Sequence, residues 1–146
     1  MPQKYSITEQ PILLVDDSPD DIMIAKRAFA KSQIHNKIYV THDGDEAIQF
    51  LRKEGKYKDM PTAGLVILDL NMPKVDGFEV LETIKGDEKL KSIPIIVLTS
   101  SSRPEDIERA YKLGCNSFIV KPVSFEDFIE AVIEIKRYWL SLSKIP

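Results

Sequence analysis

Leu65-Val66-Ile67-Leu68-Asp69 is the stretch that decides the fold: four consecutive apolar side chains closed by a carboxylate. An unbroken apolar run of this length predicts a strand buried on both faces, as in a parallel sheet. Ile12 to Val15, Ile95 to Leu98 and Phe118 to Val120 are runs of the same kind, and Lys37 to Thr41 is a more polar one. Segments with helical spacing lie between them. Ile22, Ala25 and Phe29 form one apolar stripe, Ala47, Ile48 and Leu51 a second, Phe78, Leu81 and Ile84 a third, and Ile107, Ala110 and Leu113 a fourth. A fifth helix, from Ser124 to about Leu142, carries Phe128, Val132, Ile135 and Trp139 at steps of four, three and four.

Strand and helix therefore alternate five times, which predicts an α/β fold with right-handed crossovers and a doubly wound parallel sheet covered on both faces. Helix punctuation agrees. Ser18-Pro19 reads as N-cap and first helical residue, Ser124 with Asp127 resembles a capping box, and Gly114 closes the fourth helix. In such a sheet, ligands bind beyond the carboxyl ends of the strands, near the switch in strand order.

Those ends are polar in every case: Val15-Asp16-Asp17, Leu68-Asp69, Leu98-Thr99-Ser100 and Val120-Lys121-Pro122. If the strands lie side by side, Asp16, Asp17 and Asp69 share a small pocket and oppose one another's ionisation unless a cation joins them. Mg²⁺ suits such a pocket, since it prefers oxygen ligands and is held by one or two carboxylates plus a phosphate. Lys121 adds a positive charge and Thr99 a hydroxyl, both suited to phosphoryl oxygens. A carboxylate can attack phosphorus and form an aspartyl phosphate, and Asp69, ending the third strand, is best placed to do so. Each acid alone reads equally well as a helix cap or a solvated loop end. Five such residues over four strand ends make coincidence the poorer explanation.

Composition narrows the class. The 146 residues carry a net charge of −3 and 43% hydrophobic residues, enough for one well-buried core. No block of like charge marks a nucleic-acid surface. One cysteine, Cys115, and two histidines exclude a disulfide framework and a structural zinc site. Neither a signal peptide nor an apolar run of membrane-spanning length occurs, so no membrane partner and a cytoplasmic location are expected.

These motifs resemble the receiver domains of two-component response regulators: Ile12-Leu13-Leu14-Val15-Asp16-Asp17, Leu68-Asp69-Leu70-Asn71-Met72-Pro73 with Asp76-Gly77, Leu98-Thr99-Ser100, and Phe118-Ile119-Val120-Lys121-Pro122. Thr99 and Lys121 follow Asp69 by 30 and 52 residues, which is the family's spacing. The resemblance spans about Pro11 to Leu140 and implies a flavodoxin-like (βα)5 sheet in the order 2-1-3-4-5, with residues 1–146 forming a single receiver domain. It implies that Asp69 accepts a phosphoryl group from a sensor histidine kinase or phosphotransfer protein. Asp17 and Asp69 would ligate Mg²⁺ directly, Asp16 through water, and Asn71 through its backbone carbonyl. Lys121 would pair with the phosphate. Thr99 would turn toward it while Phe118, at the aromatic switch position, moves inward. Phe118 lacks the hydroxyl a tyrosine would bring, so its signal would travel through packing. Asn71 and Ser101 stand where family members influence attack of water on the acyl phosphate. The Lys121-Pro122 bond matches one that is cis in the family.

The ending Tyr138-Trp139-Leu140…Ile145-Pro146 and the short N-terminal extension resemble the small regulators that partner bacterial phytochromes, which makes a phytochrome-type kinase a candidate donor. No output domain is expected, so the signal would pass by protein contact or phosphoryl relay. The last helix carries a second stripe, Phe125, Ile129, Ile133 and Leu140, beside the one that ends in Trp139 and Leu142. That breadth predicts a self-association surface, and the resemblance to receiver domains implies a homodimer through the fourth helix, fifth strand and fifth helix. Two rivals remain: a cofactor binder or phosphatase on the same fold, for which no glycine-rich phosphate loop is present, and an interaction module that works without phosphorylation.

Overall fold

The computed structural model describes residues 10–72 and 75–141. Along the chain come β1 (Ile12–Val15), α1 (Pro19–Lys31), β2 (Ile38–Thr41), α2 (Gly44–Arg52), β3 (Leu65–Leu68), α3 (Gly77–Lys85), β4 (Ile95–Thr99), α4 (Pro104–Lys112), β5 (Ser117–Val120) and α5 (Phe125–Ile135). A π-helical segment, Lys136–Ser141, continues α5. Every strand pair is parallel, in the order β2-β1-β3-β4-β5. The chain thus steps outward from β1 to β2 and returns to β3. The switch in order falls between β1 and β3, and a crevice opens there beyond their carboxyl ends.

Alternation along each strand divides the core in two. Leu13, Val15, Val66, Leu68, Ile95 and Val97 face the side covered by α2, α3 and Ala110 of α4. Ile12, Leu14, Leu65, Ile67, Ile96 and Leu98 face α1 and α5, through Phe29, Phe128 and Val132. The three central strands are buried along their whole length. The expectation of burial on both faces fails for β5. It lies at the sheet edge and is only half-buried, ending in a well-exposed Val120. The more polar β2 forms the other edge. An edge strand has a neighbour on one side only, so an apolar run does not by itself report two-sided burial.

Ser18 caps α1, its hydroxyl accepting from the Asp21 N–H at 3.2 Å, with Pro19 in the first turn. At α5 only half of the expected box forms: Ser124 accepts from the Asp127 N–H at 3.1 Å. The reciprocal box closes instead at α3, between Asp76 and Glu79, where glutamate has the extra methylene needed to reach back. Gly114 ends α4 at φ +108, and the Cys115 N–H returns to the Ala110 carbonyl at 3.1 Å. Of the α4 stripe only Ala110 is fully buried. On α5, Phe128, Val132 and Ile135 are buried, while Phe125, Ile129 and Trp139 pack half-buried against the same core. Leu142, the Leu140 side chain, Ile145, Pro146, Pro73 and residues 1–9 lie outside the described residues.

The expected cis bond before Pro122 is corrected: no peptide bond among the described residues is cis. Trans is the preferred form of an X–Pro bond by about 0.5–1 kcal/mol.

Gly77 fixes where α3 begins relative to the end of β3. Its N–H donates to the Leu70 carbonyl at 3.0 Å, and a Cβ there would fall 2.4 Å from the Asp69 carbonyl oxygen and 2.5 Å from Leu70 Cα. Both obstacles are backbone, so the clash cannot be relieved by a side chain swinging away. Gly77→Ala is expected to lower unfolding stability by about 1–3 kcal/mol, read by urea denaturation. Unchanged stability would mean that the turn after Asp69 is free to shift.

Candidate functional site

The sheet's hydrogen-bond ladder continues past the strands and sets the site residues in place. The Asp16 N–H donates to the Thr41 carbonyl at 3.1 Å, the Asp69 N–H to Val15 at 3.0 Å, and the Lys121 N–H to Thr99 at 2.7 Å. Three residues far apart in sequence, following β1, β3 and β5, are thereby held at one end of the sheet. Asp16, Asp69 and Thr99 are buried, and Asp17 is exposed at the mouth. One carboxylate oxygen from each of Asp16, Asp17 and Asp69 lies within 4.8 Å of the others.

Lys121 reaches into this cluster. Its Nζ donates to Asp16 Oδ2 at 2.9 Å, to Asp21 Oδ2 at 2.9 Å and to Asp69 Oδ2 at 3.5 Å. Asp16 Oδ1 accepts from the Ser18 N–H at 3.0 Å, and Asp69 Oδ1 from the Asn71 N–H at 3.2 Å. Burial lifts the Asp16 carboxyl above the usual carboxylate range, outweighing the Lys121 and Ser18 hydrogen bonds, and the Asp69 charge adds to the rise. Burial alone would lower the Lys121 pKa, but its hydrogen bonds to Asp16 and Asp21 and the charges of Asp69 and Asp16 raise it above the ordinary lysine range. The surrounding carboxylates thus favour the charged ammonium.

This donor set fits a hard divalent cation. All three groups are carboxylates, they converge within the reach of one ion, and burial holds Asp16 short of counter-charge even with Lys121 present. The acidic cluster is of the kind that holds Mg²⁺.

Around the edge, Thr99 Oγ1 accepts from Asn71 Nδ2 at 3.4 Å and from the Ser101 N–H at 3.5 Å. The Ser101 hydroxyl donates to Asp106 Oδ2 at 2.6 Å, in the first turn of α4. Polar contacts therefore run from the site to α4. Phe118 stands on β5, half-buried against the α2–α3–α4 side of the core.

Asp16, Asp17, Asp69, Asn71, Thr99 and Lys121 are thus brought together, and Phe118 lies on the strand leading to Lys121. Asp21 was missed. An acid in the first turn of a helix is ordinary dipole compensation, and nothing local ties it to a lysine 100 residues later.

Residues 12–133 match the model of the response regulator receiver domain. The chain belongs to that family. A probable methanogenesis regulatory protein, FilR2 of Methanothrix harundinacea, is 44% identical over 92% of this chain and 86% of its own length. The response regulator Rcp1 of Synechocystis is 37% identical over 92% of both chains. Its Mn²⁺-bound crystal structure superposes with a TM-score of 0.86 at 36% identity, covering 94% of this chain and 99% of that one. The phosphorylated cyanobacterial phytochrome response regulator RcpA superposes at 0.88 with 38% identity, over 94% and 99% of the two chains. Receiver domains bind a divalent metal at an acidic cluster and work with a kinase or phosphotransfer partner. Among the described residues of this one, no helix is long and apolar enough to cross a membrane.

Because its pKa is raised, Asp16 binds more proton in the folded metal-free protein than in the unfolded chain. Stability then falls as pH rises from the unfolded value near 3.8 through the folded one. Asp16→Asn removes that loss while keeping an oxygen to accept from Lys121. The metal-free variant is expected to gain on the wild type as pH rises across this window, measured by urea denaturation in EDTA. A stability difference that does not change across the window, or that moves against the variant, would refute the electrostatic account.

Proposed function

We propose that the protein is a single-domain response regulator whose Asp69 accepts a phosphoryl group, and that Mg²⁺ assists at Asp16, Asp17, Asp69 and the Asn71 carbonyl. One observation carries the reading: the Asp69 carboxylate ends the central strand beside two other carboxylates and within 3.5 Å of the Lys121 ammonium. The donor is a phosphohistidine of a sensor kinase or phosphotransfer protein. An Asp69 oxygen forms the new bond to phosphorus as the bond from the imidazole nitrogen breaks, and the electron pair leaves with the imidazole. Such transfer depends on positioning and charge neutralisation. Mg²⁺, when bound, supplies charge neutralisation for the phosphoryl oxygens. Lys121 pairs with the same oxygens, and Thr99 presents its hydroxyl to them.

Asp69 is only 7% exposed, so the donor must come close. A cavity of about 250 Å³ beside Lys121 is lined by Ile24, Val123 and Phe125, and Val123 is fully exposed. An apolar rim of this kind suits a helical partner that presents its histidine. The likeness to RcpA supports a phytochrome-type kinase as donor.

Output follows from the contacts of Thr99. If it turns toward the phosphoryl group, its bond to the Ser101 N–H is lost, and Ser101 is bonded to Asp106 of α4. Phe118 moving inward would shift the face formed by α4, β5 and α5, where Tyr111 and Tyr138 are exposed around a shallow cavity of about 300 Å³. Trp139 meets Tyr138 there edge to face at 4.9 Å. This face is the proposed homodimer surface.

Treatment with acetyl phosphate and Mg²⁺ should give one labile phosphoryl group by mass spectrometry, absent in Asp69→Asn. Asp17→Asn should weaken Mg²⁺ binding by about tenfold or more. Label persisting in Asp69→Asn would sink the assignment. For the dimer, sedimentation velocity should show a larger dimer fraction with beryllofluoride and a smaller one in Trp139→Ala; monomers throughout would refute it.

A further inference from the structure

In the resting protein Lys121 is held more closely by Asp21 than by Asp69. Its Nζ stands 2.9 Å from Asp21 Oδ2 and from Asp16 Oδ2, against 3.5 Å from Asp69 Oδ2. An ammonium has three donors, so these carboxylates account for all of them. The three arms are not equivalent. The Asp16 and Asp69 side chains are 5% and 9% exposed, whereas Asp21 is 42% exposed. A lysine that left Asp16 would strand a buried carboxylate, but one that left Asp21 would leave a carboxylate that water can solvate. Asp21 is the arm that can be released.

A phosphoryl group on Asp69 adds a charge of about −1.5 to −2 together with three strong acceptor oxygens. Lys121 must approach them, and the distance to Asp69 has to close. The Asp21 backbone is fixed, because its N–H caps onto Ser18 in the first turn of α1, so its carboxylate cannot follow the lysine far.

We propose that Asp21 is a positioning residue that draws Lys121 back from Asp69 in the resting protein and so weakens the phosphorylated state, by competing with the phosphoryl oxygens for the same ammonium. The proposal rests on Asp69 as phosphoacceptor. Whatever strength the Asp21–Lys121 pair has in the resting state is lost on going to the phosphorylated one, so Asp21 sets how readily the switch turns on.

The test is calorimetric titration of beryllofluoride, in excess Mg²⁺, into the full chain and its variants. Asp21→Asn should bind the mimic about threefold more tightly or better, the scale of a partly exposed ion pair. Asp21→Glu, which keeps the charge, should stay near wild type. In the mimic-free protein the Lys121 side-chain ¹⁵N resonance should move in Asp21→Asn and much less in Asp21→Glu, a signature that loss of helix stability alone would not give. Asp21→Ser supplies the same reading should the amide disturb the first turn of α1. Equal or weaker binding in the uncharged variants overturns the proposal, as does tightening in Asp21→Glu equal to that in Asp21→Asn. If instead the wild type fails to bind the mimic, or Asp69→Asn still binds it, the phosphoacceptor reading falls and takes this proposal with it.

Discussion

Asp16 and Asp69 end two neighbouring parallel strands, and their carboxylates are buried side by side with the ammonium of Lys121 between them. Buried like charges oppose folding unless a cation is close. Lys121 supplies that cation from β5, at the edge of the sheet. The rest of the arrangement depends on this balance. One positive charge is divided among three acids, which leaves the cluster with net negative charge for a divalent ion.

The architecture explains why the balance sits where it does. The apolar central strands are locked by the packing of both faces, so their last residues are rigid supports. Side chains on rigid supports can be held in a costly electrostatic arrangement, since the packed core more than compensates for it. The edge strand β5 is half-buried, and α4 has one fully buried residue, Ala110. The site therefore joins a stiff half, which holds the acids, to a looser half, which carries Lys121, Phe118 and the start of α4.

That division suits signalling by packing. Thr99 lies on the stiff side, yet its hydroxyl is bonded through the Ser101 backbone to a segment tied to Asp106. In the proposed output, a change in what Thr99 contacts would reach Asp106 through a long 3.5 Å bond from the Ser101 N–H and a short 2.6 Å bond from the Ser101 hydroxyl. Phe118, without a hydroxyl, would in the same proposal report by how deeply its ring is packed. Gly77 belongs to the same economy of space, because α3 starts against the backbone that leaves Asp69.

Much of this was legible in the sequence. The runs at Ile12, Leu65 and Ile95 marked the central strands because burial on both faces demands unbroken apolar residues, and a polar residue at every strand end marked the side on which chemistry sits. The family spacing of Asp69, Thr99 and Lys121 pointed to residues that the sheet gathers at one end. Three things needed the tertiary structure. Phe118 to Val120 reads like a central strand, but whether a strand has neighbours on both sides is a property of sheet order and not of its own residues. The box at Ser124 reads as reciprocal, but closing it depends on one methylene and the local backbone. Asp21 reads as a helix-start acid, and only the fold carries Lys121 across 100 residues to meet it. Local pattern reports what each segment buries; which charges face one another depends on how distant segments are brought together, and no window of sequence contains that.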